Sequence, residues 1–553
     1  MISDRKYAWI WDAFLPVSLV ILFTFQKYFY QGLIDMWEAG VYLPFVNEVL
    51  HGKIIFKDVM IIRGPLEIFL PAFLMTFLGK HLSILNFWFY FGNVLTIIFL
   101  VLAAREIYRT RVFLYLLIPV LVAKTFSLVY YKTWGGLRYA CGAMSIWLFL
   151  KFIKKDKWGW LFFSGFVSAL GFFFSPDMGL FPFLAVTLVL IVFNPNKRFF
   201  KNFSCYLLGA LVIGLPFFLY LLASGAIPEY LKNLLTMPRS GYTIYHFEIL
   251  FPDMPHNPLE ALKYTLQPFT PDFLYPLPIF IYLAVAVYFL KNYIKSRFSL
   301  INAAILCYGI YGLLVYFGAF RQTNGPQFTM AMQPALVFSF LILENCFLFF
   351  KEKQRSLERK PGIVLLGWVA IIITFLTVYF SVFTVKNYLR YGFDLYKAVY
   401  RTTSKGCFPG STVIKPLNID TAKGVLVPAW QADEINSVVG YIQARTSPGE
   451  AVFTFPDQGV YSFFFDRPCL SRFCQPDIAS YRQEWSEEFF SKLEDNKPLY
   501  IVYRREVDSF EPMIKQYPLA KNRKRIREFI KSNYKVDAVF GRIDIYKLSD
   551  EIN

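Results

Sequence analysis

The sequence predicts a polytopic α-helical membrane protein with a C-terminal extracytoplasmic α/β domain, and three observations predict it. The 553 residues are 56% hydrophobic and only 17% charged, with mean hydropathy +0.42, against about 45–50% and about 25% in soluble domains. Apolar runs recur at the length that crosses a hydrocarbon layer about 30 Å thick. From about residue 386 the pattern changes to short strands alternating with amphipathic helices. A soluble globular enzyme is excluded, because 62 Phe and 36 Tyr exceed what one soluble core accommodates.

In chain order, MISDRKYAWIWDAFLPVSLVILF has a charged head and an apolar run but no small-residue cleavage site, and reads as a retained first span. Apolar runs follow the same criterion at 13–30, 84–104, 112–131, 134–153, 158–174, 178–193, 203–224, 274–290, 299–319, 328–350 and 362–385, about 11 transmembrane helices in all. Every second connection is basic: Arg5 and Lys6, Arg105 to Arg111, Lys151 to Lys157, Lys197 to Lys201, Lys291 to Arg297, and KEKQRSLERK at 351–360. That alternation places the N-terminus in the cytoplasm and, with an odd span count, the C-terminal part on the far side. The net charge of +18 is therefore a topology signal and does not point to nucleic acid. The apolar LEIFLPAFLMTFLG at 66–79 is too short to span and reads as an interfacial helix. The expected division is 1–385, a membrane module with external loops 31–83 and 225–273, and 386–553, the external α/β domain.

In that last part a helical QADEINSVVGYIQARTS precedes a Pro-Gly break at 448–449 and the strand AVFTFP. An amphipathic SYRQEWSEEFFSKL, the strand PLYIVYR, a basic helix near 520–532 and the β-rich DAVFGRIDIYKL follow. The chain shows no internal repeat.

The residues that could carry chemistry lie mainly in the first external loop. Asp35, Glu38 and Asp58 stand between membrane-apposed apolar stretches. A helix over 36–50 would put Asp35 and Glu38 on one face. Partial desolvation there would raise a carboxylate's pKa and make it a better general base; the plainer alternative is ordinary solvated loop acids. Asp177, in the SPDMG turn between two short apolar runs, is expected below the headgroup level facing a polar cavity, with a helix N-cap as the alternative. His246 with Glu248 forms an H-x-E that leaves a divalent metal ion open without establishing one. Cys469 and Cys474 fit either a short disulfide or two free thiols.

The order D-x-x-E-A-G-x-Y, L-x-G-K-x-x-x-K-D, R-G-P-L and F-L-G-K after the first span resembles the first external loop of the GT-C glycosyltransferase superfamily. More narrowly it resembles the bacterial branch related to protein O-mannosyltransferases and the lipid A aminoarabinose transferase. PGEAVFTFPDQGVYSFFFDRPCLSRF in the C-terminal part is similar to a segment of that branch. The family pattern often has adjacent acids where this chain separates Asp35 from Glu38. The resemblance implies inverting transfer of a sugar from a polyprenyl-phosphate carrier to an acceptor hydroxyl on a lipid, glycan or protein, at the external face of a cell membrane. It implies Asp35 or Glu38 as the base. Arg63, Lys132, Arg138, Arg239 and Arg321, all at predicted external ends, are the candidates to hold the departing phosphate, with interfacial snorkelling or ion pairing as the alternative for each, and Asp58 and Asp177 are candidates beside the substrate. A multi-span transporter or lipid-linked glycan flippase is the rival reading, and a silent scaffold of the same fold is a third.

Overall fold

The computed structural model describes residues 8–24, 34–126, 134–193, 198–244, 277–295, 299–319, 325–353, 361–387, 413–456, 459–505 and 518–549. Within them each expected apolar run carries a helix: α1 (Leu15–Thr24), α5 (Leu82–Ile107), α6 (Arg111–Thr125), α7 (Leu137–Lys155), α8 (Trp158–Phe174), α9 (Pro176–Phe193), α10 (Phe199–Ser224), α12 (Leu277–Lys295), α13 (Leu300–Ala319), α15 (Gln333–Lys353) and α16 (Pro361–Asn387). Among the described residues, α5, α9, α10 and α13 are long and apolar enough to cross a membrane. Short helices fill the connections: α2 (Met36–Gly40), α3 (Leu43–Leu50), α4 (Leu66–Leu78), α11 (Ile227–Ile244) and α14 (Gly325–Ala331).

Small and hydroxylated residues let the central helices approach closely. A Cβ on Gly165 would lie 1.9 Å from the Tyr206 carbonyl oxygen, and one on Gly209 would lie 1.9 Å from that of Phe162, so α8 and α10 touch backbone to backbone. Ser145 of α7 bonds the Ser164 hydroxyl at 3.1 Å and its carbonyl at 2.9 Å, and the Tyr206 hydroxyl donates to Ser168 at 2.7 Å. These bonds satisfy polar groups that an apolar interior would otherwise penalise. The outward side of α10 stays apolar, with Leu208, Leu211, Leu215 and Leu222 exposed, as expected of a surface that faces lipid.

The C-terminal part is a four-stranded mixed sheet, ordered β3 (Phe453–Phe455), β4 (Tyr500–Arg504), β6 (Ile543–Leu548), β5 (Tyr534–Phe540). β3 runs parallel to β4, and β6 runs antiparallel to both its neighbours. α17 (Ala429–Gln443), α18 (Val460–Phe465), α19 (Pro476–Ala479), α20 (Gln483–Asp495) and α21 (Pro518–Asn533) pack around it, and a separate hairpin joins β1 (Ile414–Pro416) to β2 (Leu426–Pro428). The domain boundary drawn at 385/386 falls in the last turn of α16, just before 388–412, which lie outside the described residues.

One apolar core runs from the first loop into this domain, joining Tyr42, Phe45 and Phe56 to Phe463, Phe473 and Trp485. Polar contacts reinforce the join. Gln431 pairs with the backbone of Ile34 in both directions, at 3.0 and 2.8 Å, and the Met60 N–H donates to the Arg472 carbonyl at 2.8 Å. Arg472 also bonds Glu488 at 2.7 Å and Glu229 of α11 at 3.0 Å. Lys80 bridges Asn47 and Asp466. Cys469 and Cys474 form a disulfide, and the Cys469 N–H donates to Glu48 at 2.7 Å. The C-terminal part thus rests directly on the first loop.

Candidate active site

The expected helix over 36–50 is two helices. Pro44, within the first turn of α3, has no N–H to continue α2, and the chain turns at Val41 and Tyr42. Asp35 therefore shares no helix face with Glu38. It precedes α2 as its cap, with Oδ1 accepting the Glu38 N–H at 3.2 Å and its carbonyl accepting the Ala39 N–H at 2.9 Å. Asp35 stays half-buried while Glu38 turns inward and is 6% exposed. The Glu38 Oε2 lies 3.9 Å from Arg63 and makes no hydrogen bond.

Arg63 is placed by the glycine that follows it. A Cβ on Gly64 would lie 2.2 Å from the Phe173 carbonyl oxygen, and the Gly64 N–H donates to Phe174 at 3.0 Å. Only glycine lets the R-G-P-L segment press so closely on the end of α8. There Asp177 lies in the first turn of α9, its Oδ1 accepting the Met178 N–H at 2.9 Å and the Ser175 hydroxyl, where a negative charge suits the helix N-terminus. Its charge still reaches Arg63, as do those of Glu38 and Glu67.

Arg138 arrives from a different element. Gly135 and Gly136 take φ of 84° and 79°, and Asn93 of α5 fixes the turn by donating to the Trp134 carbonyl at 2.9 Å and accepting the Gly136 N–H at 2.8 Å. The turn aims Trp134 at both arginines, with the Arg63 and Arg138 guanidinium carbons 5.7 and 5.6 Å from its ring centre. Arg138 is 3% exposed and donates to the Gly135 carbonyl at 2.9 Å.

Glu67 completes the cluster and was not among the residues singled out from the sequence. It sits in the first turn of α4, fully buried, and neither carboxylate oxygen is hydrogen-bonded. The signal was available: one acid inside LEIFLPAFLMTFLG needs a polar neighbour. Burial pushes Glu38 and Glu67 each up to about 7, against the pull of Arg63 and Arg138. Tyr42 lies in the same field, fully buried, its hydroxyl without a hydrogen bond.

The structure thus brings together Glu38, Arg63 and Arg138, with Asp35 and Asp177 at the margin. Asp58 serves its own turn, accepting the Ile54 N–H at 3.0 Å. Lys132, Arg321, His246, Glu248 and the Arg239 side chain lie outside the described residues. Among the described residues, Glu48, Cys469 and Cys474 come within metal-ligand reach of one another, but the two sulfurs are bonded to each other, which leaves no thiolate there.

The family model described as dolichyl-phosphate-mannose-protein mannosyltransferase matches residues 63–222, a stretch holding Arg63, Glu67, Arg138 and Asp177. No curated protein matches the chain. Among solved structures, ArnT from Cupriavidus metallidurans in the apo state is similar at 13% identity and TM-score 0.53, covering 98% of both chains. The same protein bound to undecaprenyl phosphate is similar at 12% identity and TM-score 0.51, again over 98% of both. The fold is that of the GT-C membrane glycosyltransferases, as the loop motifs suggested.

Proposed function

We propose that this chain is a membrane glycosyltransferase that moves a sugar from a polyprenyl-phosphate carrier to an acceptor hydroxyl at the external face, with Glu38 as the base. The observation that carries this is the Glu38 carboxylate: buried, without a hydrogen bond at Oε2, and 3.9 Å from Arg63. A group so placed gains basicity from its surroundings and keeps a lone pair for an incoming proton. The similarity in fold to a protein crystallised with undecaprenyl phosphate supports a carrier of that class.

In this reaction the acceptor O–H gives its proton to Glu38 while its oxygen attacks the anomeric carbon opposite the phosphate. The anomeric C–O bond breaks and its electron pair stays on the departing phosphate, whose added charge Arg63 and Arg138 stabilise. One displacement inverts the configuration. Asp35 fixes the first turn of α2, and so the direction of Glu38, while Asp177 orders the end of α8 against which Arg63 is seated.

The reading includes a topology of eleven spans with a cytoplasmic N-terminus and residues 386–553 external, supported by the alternation of basic connections. It is tested with the purified full chain in lipid nanodiscs, supplied with undecaprenyl-phosphate sugars and a cell-envelope acceptor extract. Transfer with release of undecaprenyl phosphate is expected, and its loss in Glu38→Gln. Absence of transfer with every such donor, together with movement of a lipid-linked glycan across vesicles, would establish the flippase reading instead.

A further inference from the structure

The cluster around Arg63 contains more polar capacity than a base and a phosphate clamp require. Glu67 presents two carboxylate oxygens, Tyr42 a hydroxyl and Arg63 its Nε, all buried and none of them hydrogen-bonded. In a folded chain such groups are paired with protein or with something that enters. Other buried side-chain atoms also lack a partner among the described residues, but Glu67 is the one carboxylate there with both oxygens unpaired, whereas Asp12, Glu106 and Glu344 at the opposite end of α5 are paired.

The nature of the visitor follows from the mixture. A phosphate offers only acceptors; it suits the arginines and is repelled by Glu67. A metal ion suits carboxylates and is repelled by two guanidiniums. A ring bearing several hydroxyls donates and accepts at neighbouring positions, which matches a carboxylate beside a phenol and a guanidinium. Glu67 lies in the electrostatic field of both arginines, the residues that would hold the carrier phosphate.

We infer that Glu67 is a specificity-determining residue that accepts hydrogen bonds from hydroxyls of the donor sugar. This rests on the proposed function, since it places the sugar beside a phosphate held by Arg63 and Arg138. The charged groups facing Glu67 are Arg63 on the loop, Arg138 on α7 and Glu38 on α2, with the Cys141 thiol of α7 in its field. Only the arginines attract it, and neither lies within ion-pair distance of its oxygens, which leaves both oxygens open to a ligand. The apolar side of α4, where Phe73 and Phe77 are exposed, anchors the helix that holds it.

The test compares two probes on the full chain in nanodiscs: sugar-free undecaprenyl phosphate, and undecaprenyl phosphates bearing glucose, mannose, galactose or arabinose. For the sugar carrier that the unmutated protein binds best, Glu67→Gln should weaken binding about 10- to 100-fold, the loss from unpairing a buried group. Affinity for sugar-free undecaprenyl phosphate should change less than about threefold, which also certifies folding. Glu67→Asp, which keeps the charge but withdraws it, should show the same split, and with both variants KM for the sugar carrier should rise more than kcat falls. Equal weakening of both probes, or of neither, overturns the inference and leaves the proposed function standing. If the unmutated protein binds no undecaprenyl phosphate, with or without sugar, the proposed function falls and this inference with it.

Discussion

Charge gathers at two places along α5, and the two are arranged in opposite ways. Near its C-terminal end, Asp12 accepts from Arg111 at 2.7 Å and from Arg105 at 3.1 Å. Glu106 takes Lys154 at 2.9 Å together with Lys151, and Glu344 accepts the Arg109 N–H at 3.0 Å and the Thr110 hydroxyl at 2.7 Å. Beside its first half, where Phe89 packs on Tyr42 and Asn93 holds the Trp134 turn, Glu38 stands 3.9 Å from its cation and Glu67 has no ion pair. Paired charge fixes the bundle, whereas the charge left unpaired in a buried place is where the proposed function puts its substrate.

The largest effect that follows is on transfer. Glu38→Gln should lower kcat by about 10²- to 10⁴-fold, the usual contribution of a general base, while leaving the thermal unfolding midpoint unchanged. Glu106→Gln should do the reverse, lowering stability by about 1–3 kcal/mol with kcat nearly intact, because it unpairs two lysines without touching the reacting atoms. Thermal unfolding and transfer assays on both variants separate the regions; loss of transfer at normal stability in Glu106→Gln would break the distinction. Next in size is Arg63→Lys, which keeps the charge but loses the planar fork lying over Trp134. Measured on the donor lipid, KM should rise about 10- to 100-fold, in line with a charge-assisted hydrogen bond.

The helices were legible in the sequence because lipid-facing and core-facing residues are both apolar, so length and hydropathy alone mark them. α20 and the β5–β6 hairpin were legible for the complementary reason, an amphipathic period and a β-rich stretch. The site was legible only in part. Arg63 and Arg138 were candidates from their positions at external ends, but nothing in the sequence shows that Trp134 receives both. In the sequence Asp35 and Glu38 read as one pair on one face, because the apolar pattern of 36–50 runs on through Pro44 and masks the break there. Glu67 was hidden by its surroundings, an acid averaged away in an otherwise apolar helix.

A smaller effect distinguishes the two acids of the first loop. Asp35→Asn preserves the cap, since Asn caps as well as Asp, and should change stability by less than about 0.5 kcal/mol; Asp35→Ala should cost about 1 kcal/mol. Transfer in Asp35→Asn should stay within about tenfold of the unmutated rate. A loss as large as that of Glu38→Gln would make Asp35 the base.

The smallest and most specific effect is on the pH profile. Burial raises Glu38 to about 7, with Arg63 opposing and the charge of Asp35 adding to the rise. A base acts when deprotonated, so kcat/KM should fall about tenfold per unit as the pH drops below 7 and level off above it. Removing the like charge in Asp35→Asn makes Glu38 easier to ionise, which moves this limb toward lower pH and raises kcat/KM at pH 6 about twofold relative to its own plateau. Glu106→Gln, remote from Glu38 and among the paired charges, should leave the limb in place. An unmoved limb in Asp35→Asn, or a limb that disappears only when Glu67 is replaced, would transfer the titrating role from Glu38 to its neighbour on α4.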